Sequence, residues 1–197
     1  VLTQYLLSAW QKAGKLKGKE FVVKTIVTTE LITDLCKKFG VTMFDVLTGF
    51  KYIGEKIRVL EGEMQYIGGG EESFGYLAGD FVRDKDAVSA CTLVAEAAAI
   101  AKNEGKSLYD VLVETYVEYG MYKESLCSIE KEGKAGKEAI QAMMDAFRSN
   151  PPKELNGSPI VCIKDYGNAI ATDCKTGKTE KIDLPKSNVL QFFAEDG

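Results

Sequence analysis

The chain is 197 residues long, 45% hydrophobic and 27% charged, with a net charge of −4 and no histidine. That length holds one large domain or two small ones, and the apolar share is ordinary for a chain with a packed core. Basic residues alternate with acids, and no apolar run approaches the ~20 residues that cross a bilayer, so neither a nucleic-acid partner nor a membrane span is expected.

Leu2, Leu6, Ala9, Trp10 and Ala13 recur at helical spacing and stop at Gly14. A polar connection leads into Phe21-Val22-Val23-Lys24-Thr25-Ile26-Val27, mostly apolar and β-branched, as expected of a strand buried on both faces. Thr28 and Thr29 are candidate N-caps of a helix carrying Leu31, Ile32, Leu35, Cys36 and Phe39. The pattern then repeats. Val41–Leu47 reads as a strand, Thr48-Gly49 as a turn, and Tyr52, Ile53, Ile57 and Leu60 as a helical stripe. Met64–Ile67 reads as a third strand, followed by the loop Gly68-Gly69-Gly70-Glu71-Glu72-Ser73-Phe74-Gly75.

Asp86 is placed to cap an Ala-rich helix through Cys91, Val94, Ala95 and Ala98, and Ser107 to Asp110 forms a capping-box variant opening another helix, closed by Gly120. A boundary falls near Tyr119–Met121, giving units 1–120 and 121–197. Met121–Glu130 alternates like a half-buried strand, and Ala139, Ile140, Met143, Met144 and Phe147 form a helical stripe stopped by Pro151-Pro152. Strand candidates follow at Ile160–Ile163, Asn168–Thr172, Lys178–Ile182 and Val189–Phe193. The expected fold is therefore α/β, with a mixed, mainly parallel sheet and flanking helices, then a smaller α+β domain with an antiparallel sheet.

Ligands of such parallel sheets sit beyond the carboxyl ends of the strands. Thr28-Thr29, Thr48 to Lys51 and Glu71 to Ser73 all fall at that edge. Consecutive glycines permit a sharp turn or a close backbone approach. The carboxylates after them accept hydrogen bonds and suit hydroxyls, cations or metals, not phosphate. The loop thus reads as a clamp for a sugar or polyol. The plainer reading is a flexible turn, with an acid serving a helix N-terminus. The absence of histidine removes Ser-His-Asp and Cys-His catalysis and leaves Asp, Glu, Lys and Tyr for proton transfer. Cys36, Cys91, Cys127, Cys162 and Cys174 form no CxxC pair and read as reduced thiols of a cytoplasmic protein, without a zinc site.

Gly70-Glu71-Glu72-Ser73-Phe74-Gly75 resembles the sugar-binding loop of the phosphoglucomutase/phosphomannomutase (α-D-phosphohexomutase) family. Thr48-Gly49-Phe50-Lys51 upstream and Arg83-Asp84-Lys85-Asp86 downstream agree with that family in order and spacing. The similarity covers the family's third domain and most of its fourth. It implies an enzyme in which a phosphoserine passes its phosphoryl group to a hexose phosphate, through a bisphosphate that reorients. Hexose phosphate, hexose bisphosphate and the missing domains are the implied partners. The phosphoserine, the Mg2+ loop and the later phosphate-binding loop have no counterpart here. The chain reads as a fragment, inactive alone and without metal ligands of its own. The rival reading is a non-catalytic sugar-phosphate binding module.

The resemblance assigns Glu71 and Ser73 to the sugar hydroxyls and leaves Glu72 a structural role, paired with a nearby cation. Thr48 is read as an N-cap at the ligand edge, and Gly49 as turn chemistry or a close backbone approach. Lys51 is either a solvated lysine or a site residue, and capping accounts for Thr28. No residue here is expected to be catalytic in the strict sense. Lys85 lies in a mixed-charge run that ordinarily marks a solvated helix entry, and the family match makes it a stabiliser of phosphoryl charge or a proton shuttle. The Thr-Gly-Phe-Lys form and Tyr116 to Gly120 resemble glucose- and pentose-type mutases more than mannose-type ones.

Overall fold

The computed structural model describes residues 1–196. The chain divides into two compact units, Val1–Ser125 and the remainder from Leu126 onward.

In the first unit the elements run α1 (Leu2–Lys12), β1 (Glu20–Thr25), α2 (Leu31–Phe39), β2 (Thr42–Val46), α3 (Phe50–Val59), β3 (Gln65–Gly70), β4 (Tyr76–Ala78), α4 (Ala87–Asn103) and α5 (Leu108–Tyr119). The sheet order is β2-β1-β3-β4. β1 pairs in parallel with β2 and β3, and β4 returns antiparallel on β3. Side chains of β1 point alternately to opposite faces, so this central strand needs apolar residues on both. Val22 joins one cluster with Leu6 and Leu7 of α1, Leu31 and Leu35 of α2 and Ile67 of β3. Phe21 and Val23 join a second with Phe50, Ile53 and Ile57 of α3 and Tyr66 of β3. The period of two along one short strand thus organises two cores.

The glycine triplet departs from expectation. Gly68, Gly69 and Gly70 do not form a loop but complete β3, fully buried. None has a positive φ, so the reason for glycine is space rather than turning. A Cβ on Gly69 would lie 2.0 Å from the Val23 carbonyl oxygen, and one on Gly70 would lie 2.5 Å from that of Gly75. The close approach is to neighbouring backbone. The turn proper is Glu71–Gly75, closed by a 2.8 Å hydrogen bond from the Glu71 N–H to the Gly75 carbonyl.

Capping also differs in part. Asp86 accepts from the N–H groups of Val88 and Ser89, and Ser107 with Asp110 forms a complete capping box, as their positions predict. Thr28 and Thr48 do not cap. The N-cap of α2 is Glu30 and that of α3 is Gly49, which sits at φ 119° where a threonine would be strained. Thr29 alone accepts from a first-turn amide, that of Leu31 at 3.3 Å.

Residues 120–132 form no regular structure, so the strand expected over Met121–Glu130 is absent. Alternation needs a neighbouring strand to take the ladder hydrogen bonds, and none lies alongside; Met121, Leu126 and Ile129 are exposed. Within the first unit, Tyr122 donates its hydroxyl to Asp34, and that bond holds the Asp34 carboxyl below its ordinary range.

The second unit contains α6 (Gly133–Ser149), then β5 (Glu154–Leu155), β6 (Ser158–Asp165), β7 (Ile170–Asp173), β8 (Thr179–Lys181) and β9 (Leu190–Ala194). The order is β5-β6-β7-β8, with β9 on the other side of β6, and every pairing is antiparallel. Arg148 on α6 donates to Asp165 at the end of β6, 3.2 Å away, fastening helix to sheet.

Candidate ligand edge of the parallel sheet

The register aligns Thr25 with Val46, and Lys24 with both Asp45 and Gly70. Segments 26–30, 47–49 and 71–75 therefore leave the sheet side by side at its carboxyl edge. Three crossings far apart in the sequence meet in one place, as the strand pattern predicts.

Glu71 is the junction. Its Oε1 accepts the backbone N–H of Gly49 at 2.9 Å, across 22 residues of sequence. The carboxylate thus sits at the start of α3, where unpaired amides and the helix dipole favour negative charge. The second oxygen accepts no hydrogen bond from a described residue. It lies over Gly75: a Cβ built there would be 2.8 Å from Glu71 Oε2, 3.1 Å from Lys85 Cδ and 3.6 Å from Phe50. One free carboxylate oxygen and the stem of Lys85 therefore converge on the same glycine. That requirement for space explains why residue 75 is glycine and buried.

Glu72 is held differently from the expectation. Its partner is not a cation. Oε2 accepts the hydroxyl of Thr25 at 2.9 Å and that of Thr28 at 3.5 Å, and the two threonine oxygens are 2.8 Å apart. Thr28, read from sequence as a cap, serves this cradle instead. The two adjacent acids therefore bind to different strand ends, Glu71 towards β2–α3 and Glu72 towards β1–α2. Ser73 and Phe74 form the exposed apex between these anchors and Gly75. Phe74 is fully exposed and adopts φ 67°, a left-handed backbone uncommon for an aromatic residue. Ser73 makes no hydrogen bond to a described residue, so its hydroxyl faces solvent unengaged.

The cationic candidates are less closely gathered. Lys85 is about half exposed, its ammonium 3.2 Å from Asp84 and 5.6 Å from the Phe50 ring centre. The Lys51 ammonium lies 4.8 Å over the Tyr52 ring, along a surface depression of about 480 Å³ that Arg58 and Arg83 also line. Thr48 is exposed beside Gly49, its side chain making no hydrogen bond to a described residue.

Sequence reasoning missed Lys24 and Asp45. Lys24 is fully buried in β1; its Nζ donates to Glu30 Oε1 at 3.0 Å and to the Thr28 carbonyl at 3.3 Å. Asp45 Oδ1 lies 2.7 Å from the same nitrogen, off the line of a hydrogen bond, so that attraction is coulombic. The signal was present: a lysine within an otherwise apolar run, and an acid within the neighbouring strand.

The acidic loop, the glycine N-cap and the threonine cradle of this α/β unit share one strand-end edge. Comparison gives the lineage. Residues 2–119 match the family model described as phosphoglucomutase/phosphomannomutase, alpha/beta/alpha domain III. The chain belongs to the phosphoglucomutase/phosphomannomutase family. It is 39% identical over its whole length to a phosphoglucomutase of Staphylococcus haemolyticus (strain JCSC1435), covering 35% of that protein. It is 37% identical over 95% of its length to a phosphoglucomutase of Staphylococcus aureus (strain MRSA252), covering 34% of it. The chain thus spans about a third of these relatives. Among solved structures, the open form of Paramecium pp63/parafusin, a phosphoglucomutase, superposes over the whole chain with TM-score 0.59 at 17% identity, covering 32% of that structure. At that identity the likeness concerns the fold.

Proposed function

We propose that this chain is the sugar-gripping portion of a phosphoglucomutase-type phosphohexomutase. The full-length protein interconverts hexose 1-phosphate and hexose 6-phosphate through a hexose bisphosphate. The observation that carries this reading is the state of the Glu71 carboxylate. One oxygen is fixed by the Gly49 amide, and the other is free above buried Gly75. An anchored carboxylate with a spare acceptor is pre-oriented for a substrate hydroxyl, and its geometry needs little reorganisation when the ligand arrives.

In this reading Glu71 Oε2 accepts from one sugar hydroxyl and Ser73 exchanges a hydrogen bond with its neighbour. Such a short pair of acceptors serves a bisphosphate in either orientation, because vicinal hydroxyls present similar geometry from both ends. Thr48 and Gly49 border the sugar. Lys85 swings from Asp84 towards the transferring phosphoryl group, where its charge offsets the developing negative charge. Lys51 lies further out and meets a phosphate rather than the ring.

Magnesium, implied for the full-length enzyme, does not fit these residues. Among those described, no group of three or more His, Cys, Asp or Glu side chains is arranged to hold a metal ion. No described helix is long and apolar enough to cross a membrane. The five cysteines are free thiols, which supports the cytoplasm as the proposed setting.

The Gly49 amide reports directly on Glu71. Titrating glucose 1-phosphate into the isotope-labelled full-length protein should shift the Gly49 resonance saturably, together with Ser73 and Gly75. Saturable binding that leaves all three amides unmoved would overturn the assignment.

A further inference from the structure

We propose that buried Lys24 is a positioning residue for the sugar loop, acting through Thr28 and Glu72. This rests on the sugar-binding reading of Glu71 and Ser73. Lys24 makes no approach to a ligand itself. It joins three pieces of the carboxyl edge: its own strand β1, Asp45 of β2, and the 26–30 turn through the Thr28 carbonyl and Glu30.

A fully buried lysine with two acids is a poor device for stability alone. Removing such charges from water costs about what their attraction returns, and apolar replacements of similar size are often as stable or more so. What the arrangement supplies is direction. The turn that Lys24 holds by the Thr28 carbonyl carries the Thr28 hydroxyl, and that hydroxyl shares Glu72 Oε2 with Thr25. Glu72 is the residue between Glu71 and Ser73. The ammonium therefore fixes the turn, the turn places the Thr28 hydroxyl, and that hydroxyl, with that of Thr25 on β1, holds the middle of the loop. The Glu71–Gly49 bond secures only one end of it. Among the described residues, the side-chain anchor on the Ser73 side of Glu71 is this Glu72 cradle, whose Thr28 half Lys24 braces.

Geometry displaced by ~1 Å near a reacting group costs up to about a hundredfold in rate. Lys24→Met, of similar length but uncharged, should lower kcat/KM for glucose 1-phosphate roughly tenfold or more in the full-length protein. The loss should fall mainly on kcat, while the Tm stays near that of the unmodified protein. Thr28→Val should do likewise, and Thr28→Ser, which keeps the hydroxyl, should restore most of the rate. Glu71→Gln is measured alongside. If Glu71→Gln is impaired but folded Lys24→Met retains full kcat/KM, Lys24 does not position the loop and the proposal fails alone. If Lys24→Met does not fold, Thr28→Val decides by the same criterion, and unchanged kcat/KM there overturns it. An unimpaired Glu71→Gln removes the sugar-binding reading and this proposal together.

Discussion

Glu71 and Gly49 are joined by a 2.9 Å hydrogen bond from backbone amide to carboxylate, linking the end of β3 to the start of α3. Gly49 sits at φ 119°, so no other residue places its amide there without strain. Gly49→Ala should therefore move the amide away from Glu71 and lower kcat/KM of the full-length protein, with a stability loss of ~1 kcal/mol or more. The test is kcat/KM and denaturant midpoint measured on the same preparation. Unchanged values for both would show that the bond does not constrain the loop.

The second prediction concerns the strand glycines. A Cβ on Gly69 meets backbone, the Val23 carbonyl oxygen, and backbone cannot rotate aside. Gly69→Ala must push β3 off β1, and overpacking of this kind costs about 1–3 kcal/mol or more. Gly62→Ala serves as a comparison, since its Cβ would meet nothing although its φ of 81° carries some strain. Chemical denaturation should rank Gly69→Ala well below Gly62→Ala; the reverse order would contradict the close approach.

In the second unit, burial pushes the Asp165 carboxyl up, but hydrogen bonds from Asn168, Arg148 and Gly167 outweigh it and hold the group below the ordinary carboxylate range. A carboxyl depressed by folding contributes stability above its unfolded value, and that contribution is lost as pH falls through the folded value. The unfolded value is near pH 4. Between pH 7 and 5 the contribution should be constant, and below about pH 4 it should decline. Asp165→Asn should flatten this acid limb in a stability-versus-pH series. An unaltered limb would mean that Asp165 is not its source.

Helix capping offers a smaller effect. Asp86 accepts from Val88 at 3.2 Å and Ser89 at 3.1 Å, at the start of a 17-residue helix. Asp86→Ala should cost about 1 kcal/mol, measured by thermal or urea unfolding. The change should leave the affinity for glucose 1-phosphate intact, because the cap faces α4 rather than the loop.

The succession of strands and helices along the chain, the two-faced burial of β1 and the clustering of three crossings at one edge are legible from periodicity, whereas the spatial order that puts β1 between β2 and β3, and the short antiparallel β4, are not. Apolar spacing depends only on which side chains leave water. The antiparallel hairpins β6–β7 and β7–β8 are similarly legible, since their turns carry Gly and Asp at the required positions, but the return of β9 to β6 in place of a continued meander is not. The exceptions have physical causes. Gly68 to Gly70 look like a turn in sequence because composition does not separate a glycine chosen for φ from one chosen for room. Thr28 looks like a cap because a hydroxyl near a helix start suits either an amide or a distant carboxylate, and Thr48 because the cap position falls one residue later, on Gly49. Met121–Glu130 has the alternation of a strand without the neighbour that would make it one. Lys24 and Asp45 went unread because pairing across strands appears only once the register is known.

The central claim is that Glu71 and Ser73 grip the sugar while Glu72 supports the loop, and comparing three variants of the full-length protein tests it most directly. Hydrogen bonds to a charged acceptor contribute ~1.5–3 kcal/mol, so Glu71→Gln should lower kcat/KM for glucose 1-phosphate roughly ten- to a hundredfold at unchanged Tm. Ser73→Ala, losing a neutral bond, should cost less. Glu72→Gln keeps an oxygen for the Thr25 and Thr28 hydroxyls and should lower the Tm more than it lowers kcat/KM. Wild-type turnover in Glu71→Gln, with turnover abolished in Glu72→Gln at unchanged Tm, would contradict the account and exchange the roles of the two carboxylates.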